Sequence, residues 1–191
     1  MSTNSNDKGF MVRDGHPLKW DRTSFSLSIF LTHDAADYLP EFEAACEGWN
    51  SVMLSRRLFA RPNTNLIEAL FTAFVTPAKR VFLKDFILVR IDPDAGRAWS
   101  EYGDRHIGST DLQYDTRTGQ LFNGIVTMQP RKRAIDRLGQ QGVYQAVLHE
   151  CGHLLGLDHD VISESVMFAS VAKDATKVTG NDVVLIRNSY E

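Results

Sequence analysis

His149-Glu150-Cys151-Gly152-His153-Leu154-Leu155-Gly156-Leu157-Asp158-His159 is the stretch on which the reading of this chain turns. On a helix, residues four apart sit one turn apart on one side, so the imidazoles of His149 and His153 can converge on one ion at about 2.0 to 2.1 Å, the zinc–nitrogen bond length. A third ligand on the same straight helix would point away. Gly156 is the residue type that takes the left-handed conformation ending a helix, and a turn there would swing His159 back as the third ligand. Three histidines leave one tetrahedral position for water, the mark of a catalytic zinc site and not a closed structural one. Glu150 adjoins the first ligand, where its carboxylate would act as general base on a water whose pKa zinc lowers from about 15.7 to about 7. The pattern predicts metal-assisted amide hydrolysis. Cys151 lies about 200° round the helix from His149 and is expected to be a buried filler, not a ligand.

A bare HExxH match is only moderately specific. With Gly156 and His159 added, and each specified type at a few per cent usage, the match arises by chance on the order of 10⁻⁵ for this length. The pattern is the metzincin signature, and the chain resembles that family of zinc endopeptidases. Met167, in Ser165-Val166-Met167-Phe168, is similar to the family's Met-turn, which implies an apolar floor beneath the metal. Ala169 stands where astacin- and serralysin-type members carry a tyrosine. The segment Pro17-Leu18-Lys19-Trp20, the strand after it, a helix ending near Trp49 and a closing helix from Val178 to Tyr190 resemble a matrixin catalytic domain over residues 17–191.

That resemblance implies an α/β (α+β), zincin-like fold: a twisted, mostly parallel sheet with one antiparallel edge strand, two long helices and a small C-terminal subdomain. The expected organisation is a flexible lead at 1–16 and one catalytic domain at 17–191, with an upper part 17–156 and a lower part 157–191. The sequence departs from the family in places. Asp160 is the residue of adamalysin-like enzymes where matrixins have serine, yet two cysteines cannot supply the adamalysin disulfides. No cysteine precedes residue 17, so the enzyme is expected to be made without the matrixin inhibitory latch. Matrixins hold a second, structural zinc; no histidine lies between His106 and His149, and one zinc is expected. Calcium has candidate carboxylates in Asp104, Asp111 and Asp115, but a solvated loop is the favoured reading and calcium is not supported.

Working outward, the chain has 191 residues, 43% of them hydrophobic, enough for a core in one ordinary domain. With 21 Lys+Arg against 24 Asp+Glu, nucleic acid is not an expected partner. The longest apolar stretch, Leu66 to Val75, is far short of the roughly 20 residues that cross a bilayer. Met1 to Gly9 lacks the features of a secretory signal, so the expectation is a cytoplasmic chain or one exported by another route. Cys46 and Cys151 leave one disulfide open without requiring it.

Alternation predicts a strand over Phe25 to Leu31. Leu39, Phe42, Cys46, Trp49 and Met53 share one face of a helix from about 38 to 54, with Asp37 as N-cap and Pro40 third in the helix. Asn65 to Val75 reads as a short helix. Phe86 to Ile91 reads as a central strand covered on both faces, and His106 to Tyr114 and Gln120 to Met128 as two strands joined by a Gly-ended turn. A helix is expected from about 140 to 155 and a last one from Asn181, behind a Thr179-to-Asp182 capping pattern. His16, His33 and the run Arg131-Lys132-Arg133 are expected on solvated surface.

The family's substrate lies extended along an edge strand, here near His106 to Tyr114, and the segment after Met167 would wall the pocket beyond the cleaved bond. Phe168 and Val171 favour a hydrophobic side chain there. The resemblance therefore implies a monomeric zinc endopeptidase on protein or peptide substrates: His149, His153 and His159 hold zinc, Glu150 is the base, and Gly156 and Met167 support the site. Two alternatives are a silent zinc-containing peptide-binding module, against which Glu150 argues, and a zinc amidase acting on small or cell-wall peptides.

Overall fold

The computed structural model describes residues 9–21, 23, 25–64, 86–93, 107–169 and 175–191. Its sheet is built on the apolar run at Phe86–Ile91 (β5), which pairs in parallel with β4 (Ser28–Leu31) on one side and β7 (Gln120–Met128) on the other. Only Ile87 and Val89 are fully buried and Arg90 is exposed, so this central strand has one dry face where two were expected. β6 (Gly108–Tyr114) runs antiparallel along the other edge of β7. The short β3 (Lys19–Trp20) joins β7 in parallel at Gln120 and Leu121. Beyond β4 the segment 58–63 continues the parallel pairing, with Leu27 N–H donating to Leu58 C=O and Leu31 N–H to Asn63 C=O. The mostly parallel sheet with an antiparallel edge strand is thus present. The stretch Asn65 to Val75, read as a helix, lies outside the described residues, as does most of the segment after Ile91.

Two helices cover one face. A 3-10 turn (His33–Tyr38) leads into α1 (Leu39–Asn50), whose Phe42, Cys46 and Trp49 are buried as the periodicity requires. Tyr38, not Asp37, caps the helix, which moves Pro40 to the second helical position, where a missing N–H still costs nothing. At the last position of the helix the Asn50 side chain ties down the segment beyond: Oδ1 accepts from Leu58 and Phe59 N–H, and Nδ2 donates to Phe59 C=O.

The second helix, α2 (Arg131–Leu154), starts nine residues before the expected 140. Gly139, at φ 69 and ψ 172, breaks it into a short first segment and the long segment carrying the histidines. Arg131 is not solvated surface. It is half-buried and its guanidinium pairs with the buried Glu41 of α1, Nη2 to Oε1 at 2.6 Å, while Lys132 and Arg133 are exposed. A buried carboxylate demands such a partner, and removing either charge would strand the other.

Residues 9–16, the described part of the lead expected to be loose at 1–16, form with Pro17 a hairpin of β1 (Val12–Arg13) and β2 (His16–Pro17) docked on the end of α2. Phe10 is 3% exposed and bridges to Leu157, Met11 N–H donates to Gly156 C=O, and Asp158 N–H donates to Gly9 C=O. One buried aromatic and these backbone bonds outweigh the polarity of the flanking residues. His16 is half-buried within β2 and His33 is exposed. α3 (Gly180–Tyr190) closes the chain. Among the described residues no helix is long and apolar enough to cross a membrane.

The end of α2 accounts for each of its last carbonyls. Leu157 N–H donates to Gly152 C=O at 3.1 Å and Gly156 N–H to His153 C=O at 2.8 Å, the pair of bonds that closes a helix around a left-handed residue. Trp20 Nε1–H donates to Leu154 C=O at 2.6 Å and Tyr190 O–H to Leu155 C=O at 2.7 Å. Gly156 sits at φ +88, and a Cβ there would stand 2.1 Å from the carbonyl oxygen of Leu18. Gly156→Ala should therefore lower stability by about 2 to 4 kcal/mol, read as a fall in the urea midpoint. A parental midpoint would show that the helix end accepts a side chain.

Candidate functional site

The second segment of α2 puts His149 and His153 one turn apart, and the turn at Gly156 brings His159 beside them. One ring nitrogen from each lies within 4.8 Å of the others. Nε2 of His153 and Nε2 of His159 are 3.3 Å apart, close to the roughly 3.4 Å that separates two tetrahedral ligands about 2.0 to 2.1 Å from one ion. Two of the rings are oriented from behind. His149 Nδ1 donates to Val166 C=O at 2.8 Å and His153 Nδ1 to Leu157 C=O at 2.8 Å, which leaves each Nε2 as the metal-facing lone pair. This donor set suits zinc: three imidazoles, two of them fixed in tautomer, graded from half-buried His149 and His153 to exposed His159.

Met167 packs against the helix that carries the two histidines. It is buried, and its Sδ approaches α2 at Gly152 so closely that a Cβ there would stand 2.2 Å from the sulfur. The loop that carries it is held by two residues the sequence reading did not assign to the site. Asp182 accepts from Ser165 Oγ at 2.7 Å and from Val166 N–H at 3.1 Å, while Ser165 Oγ accepts from Met167 N–H at 2.9 Å. Asp182 was expected in a helix-capping box behind Thr179, but Thr179 makes no side-chain cap bond and the carboxylate turns to the loop instead. The signal was an acidic residue in a first helical turn, and only the tertiary fold reveals which donors it meets. Burial holds the Asp182 carboxyl above the usual carboxylate range, against the opposing bonds from Ser165 and Val166.

Glu150 is buried on the same helix, and its Oε2 accepts from Thr110 Oγ1 of β6 at 2.6 Å. Thr110 was not singled out by the sequence. Phe168 is half-buried and bridges to Asp160, while Val171, its expected companion in the pocket wall, lies outside the described residues. Asp111 is exposed and Asp115 is engaged in the β6–β7 turn, accepting from Arg117 N–H at 2.8 Å; Asp104 and His106 lie outside the described residues. Cys46 and Cys151 are free, buried thiols on the facing sides of α1 and α2. Burial pushes the Cys151 thiol up, with Cys46 adding to the effect, so it is inert filler as expected.

Asp182→Ala removes the acceptor for two buried donors. The expected result is a loss of about 2 to 3 kcal/mol of stability and a zinc affinity roughly tenfold weaker, measured by thermal unfolding and by competition with a chromophoric chelator. The raised carboxyl also sets a sign. Below the ordinary carboxylate value its contribution to stability is fully present, and that contribution is lost as pH rises through the raised value, because the folded chain binds the proton more tightly. Asp182→Asn should flatten that part of the stability profile. Iodoacetamide should leave Cys46 and Cys151 unmodified in the native chain and alkylate both after denaturation; labelling of the folded protein would contradict their burial.

The matrixin family model matches residues 91–191, more than half of the 191 residues, from the end of β5 through β6, β7, α2 and α3. No curated protein matches the chain. The match spans all three histidines, Glu150 and the Met167 loop, and on it the chain belongs to the matrixins, a family of zinc metalloendopeptidases.

Proposed function

We propose that this chain hydrolyses peptide bonds within extended protein or peptide segments, with Glu150 as general base and His149, His153 and His159 as the ligands of one zinc ion. The observation that carries the reading is the convergence of three imidazoles, two of them anchored through Nδ1, on the helix that also carries Glu150. Zinc bound there would supply Lewis acidity, polarising the scissile carbonyl and lowering the pKa of a water to about 7. Glu150 takes a proton from the attacking water and returns it to the departing amine nitrogen, so that the carboxylate is regenerated in each cycle.

Binding falls to β6. Ile107 C=O accepts from Gln129 N–H, which makes Ile107 and Gln129 a hydrogen-bonded pair. In the antiparallel register that follows, Ser109 and Asp111 also bond to β7, while Gly108 and Thr110 turn their main-chain groups outward. An extended substrate pairing with that edge gains affinity from its backbone and selectivity from alternate side chains. Phe168, beside the buried Met167, provides an apolar wall for the side chain after the cleaved bond.

The test is cleavage of an unfolded protein by the purified chain beside Glu150→Ala, with zinc measured in both. Cleavage by the parent, a fall of at least about a hundredfold in the variant and one zinc in each are expected. Chelation should abolish the parental activity and added zinc restore it. No cleavage by zinc-loaded parent would favour the binding module. Turnover that does not rise with peptide length would favour the small-substrate amidase.

A further inference from the structure

Two residues of β6 meet the side chain of Glu150. Thr110 Oγ1 donates to Oε2 at 2.6 Å, and at Gly108 a Cβ would stand 3.0 Å from Glu150 Cγ and 3.2 Å from Oε1. Glu150 is 6% exposed, but burial alone does not fix the plane of a carboxylate, because the last torsion of a glutamate is broad and roughly two-fold. A short O–H···O bond to a carboxylate does fix it, and here the threonine hydroxyl is the donor.

The register gives the contact its meaning. Thr110 lies opposite Val126 at a position whose main-chain N–H and C=O turn away from β7. One residue thus joins the strand edge along which the substrate would lie to the group that moves the proton. Its backbone faces the first and its side chain holds the second.

We propose that Thr110 is a positioning residue for hydrolysis: its hydroxyl fixes the plane and rotamer of the Glu150 carboxylate from the substrate-binding strand. The proposal rests on the endopeptidase reading above. A purely structural role for Thr110 is separable from it, because valine is nearly isosteric and serves a strand at least as well as threonine. If the residue only builds β6, valine should be harmless. If it holds Glu150, valine should fail and serine should rescue.

The experiment compares zinc-loaded parent, Thr110→Val and Thr110→Ser by kcat and KM on one peptide, zinc content and thermal midpoint. A second readout is the affinity for a short peptide hydroxamate, whose zinc-chelating group carries a proton for an adjacent carboxylate to accept. The expected result for Thr110→Val is a kcat about tenfold lower at unchanged KM, one zinc, a parental midpoint and hydroxamate binding about tenfold weaker. Thr110→Ser should lie within about threefold of the parent in kcat and hydroxamate affinity. Parental kcat and hydroxamate affinity in Thr110→Val would overturn the proposal, as would loss of zinc or of stability in both variants. If the parent does not cleave but hydroxamate affinity falls with valine and returns with serine, Thr110 holds Glu150 and the endopeptidase reading fails. If the parent does not cleave and all three bind hydroxamate equally, both fail.

Discussion

The left-handed turn at Gly156 is the constraint on which the remaining structure depends. Without it His159 has no route back to His149 and His153, and the last carbonyls of α2 have no closing bonds. Those carbonyls draw partners from both ends of the chain: Trp20 follows the N-terminal hairpin, and Tyr190 ends α3. Trp20 N–H also donates to Tyr190 Oη at 3.3 Å, so the two caps meet. Helix ends fray unless tied, and a ligand set straddling a helix end needs that fraying suppressed. The docking of the hairpin and of α3 here is therefore part of how the three imidazoles keep their geometry.

A second line of support runs from α3 to His149. Asp182 holds Ser165 and Val166, and Val166 C=O in turn accepts from His149 Nδ1. Every link is a bond of ordinary length between buried or half-buried groups, and each fixes a different quantity. The carboxylate sets the path of the loop, the carbonyl sets the tautomer of His149, and the loop path places the Met167 sulfur under Gly152. Burying Asp182 raises its carboxyl and so costs stability at neutral pH. The structure accepts that cost where a loop, which has no helical ladder of its own, must hold a ligand from behind.

What could be read from the sequence follows from the range of the forces involved. The histidine spacing, the closing glycine, the strand alternations and the apolar face of α1 are local patterns, and His149, His153 and Gly156 lie at the helix end those patterns imply, while Met167 was singled out by the family resemblance alone. The misreadings share another cause. Asp182 fits a capping box by spacing, and only the arrival of Ser165 and Val166 gives its carboxylate better donors. Arg131 sits in a basic run that looks solvated until Glu41 approaches from a helix 90 residues away in sequence. The hairpin at 9–17 is polar in composition, yet one buried phenylalanine and the backbone of Gly156 hold it down. Thr110 reads as an unremarkable strand residue, because a pattern gives the face of a strand but not what stands opposite it.

Close packing also explains why two positions beside Glu150 and the histidines lack side chains. At Gly152 a Cβ would collide with the Met167 sulfur and stand 2.9 Å from Trp49 Cζ2; at Gly108 it would crowd Glu150 and come within 2.9 Å of the Met128 sulfur. Neither has a positive φ, so conformational freedom is not what these glycines provide. They set distances. The absent Cβ at Gly152 brings the Met167 side chain against the helix between His149 and His153, and the absent Cβ at Gly108 brings the edge strand close enough for Thr110 to reach Glu150. In each case a cavity the size of a methyl group is filled by the neighbouring element, so packing density is kept while two elements approach closely. The site is thus defined as much by where α2 and β6 carry no side chain as by the side chains they present.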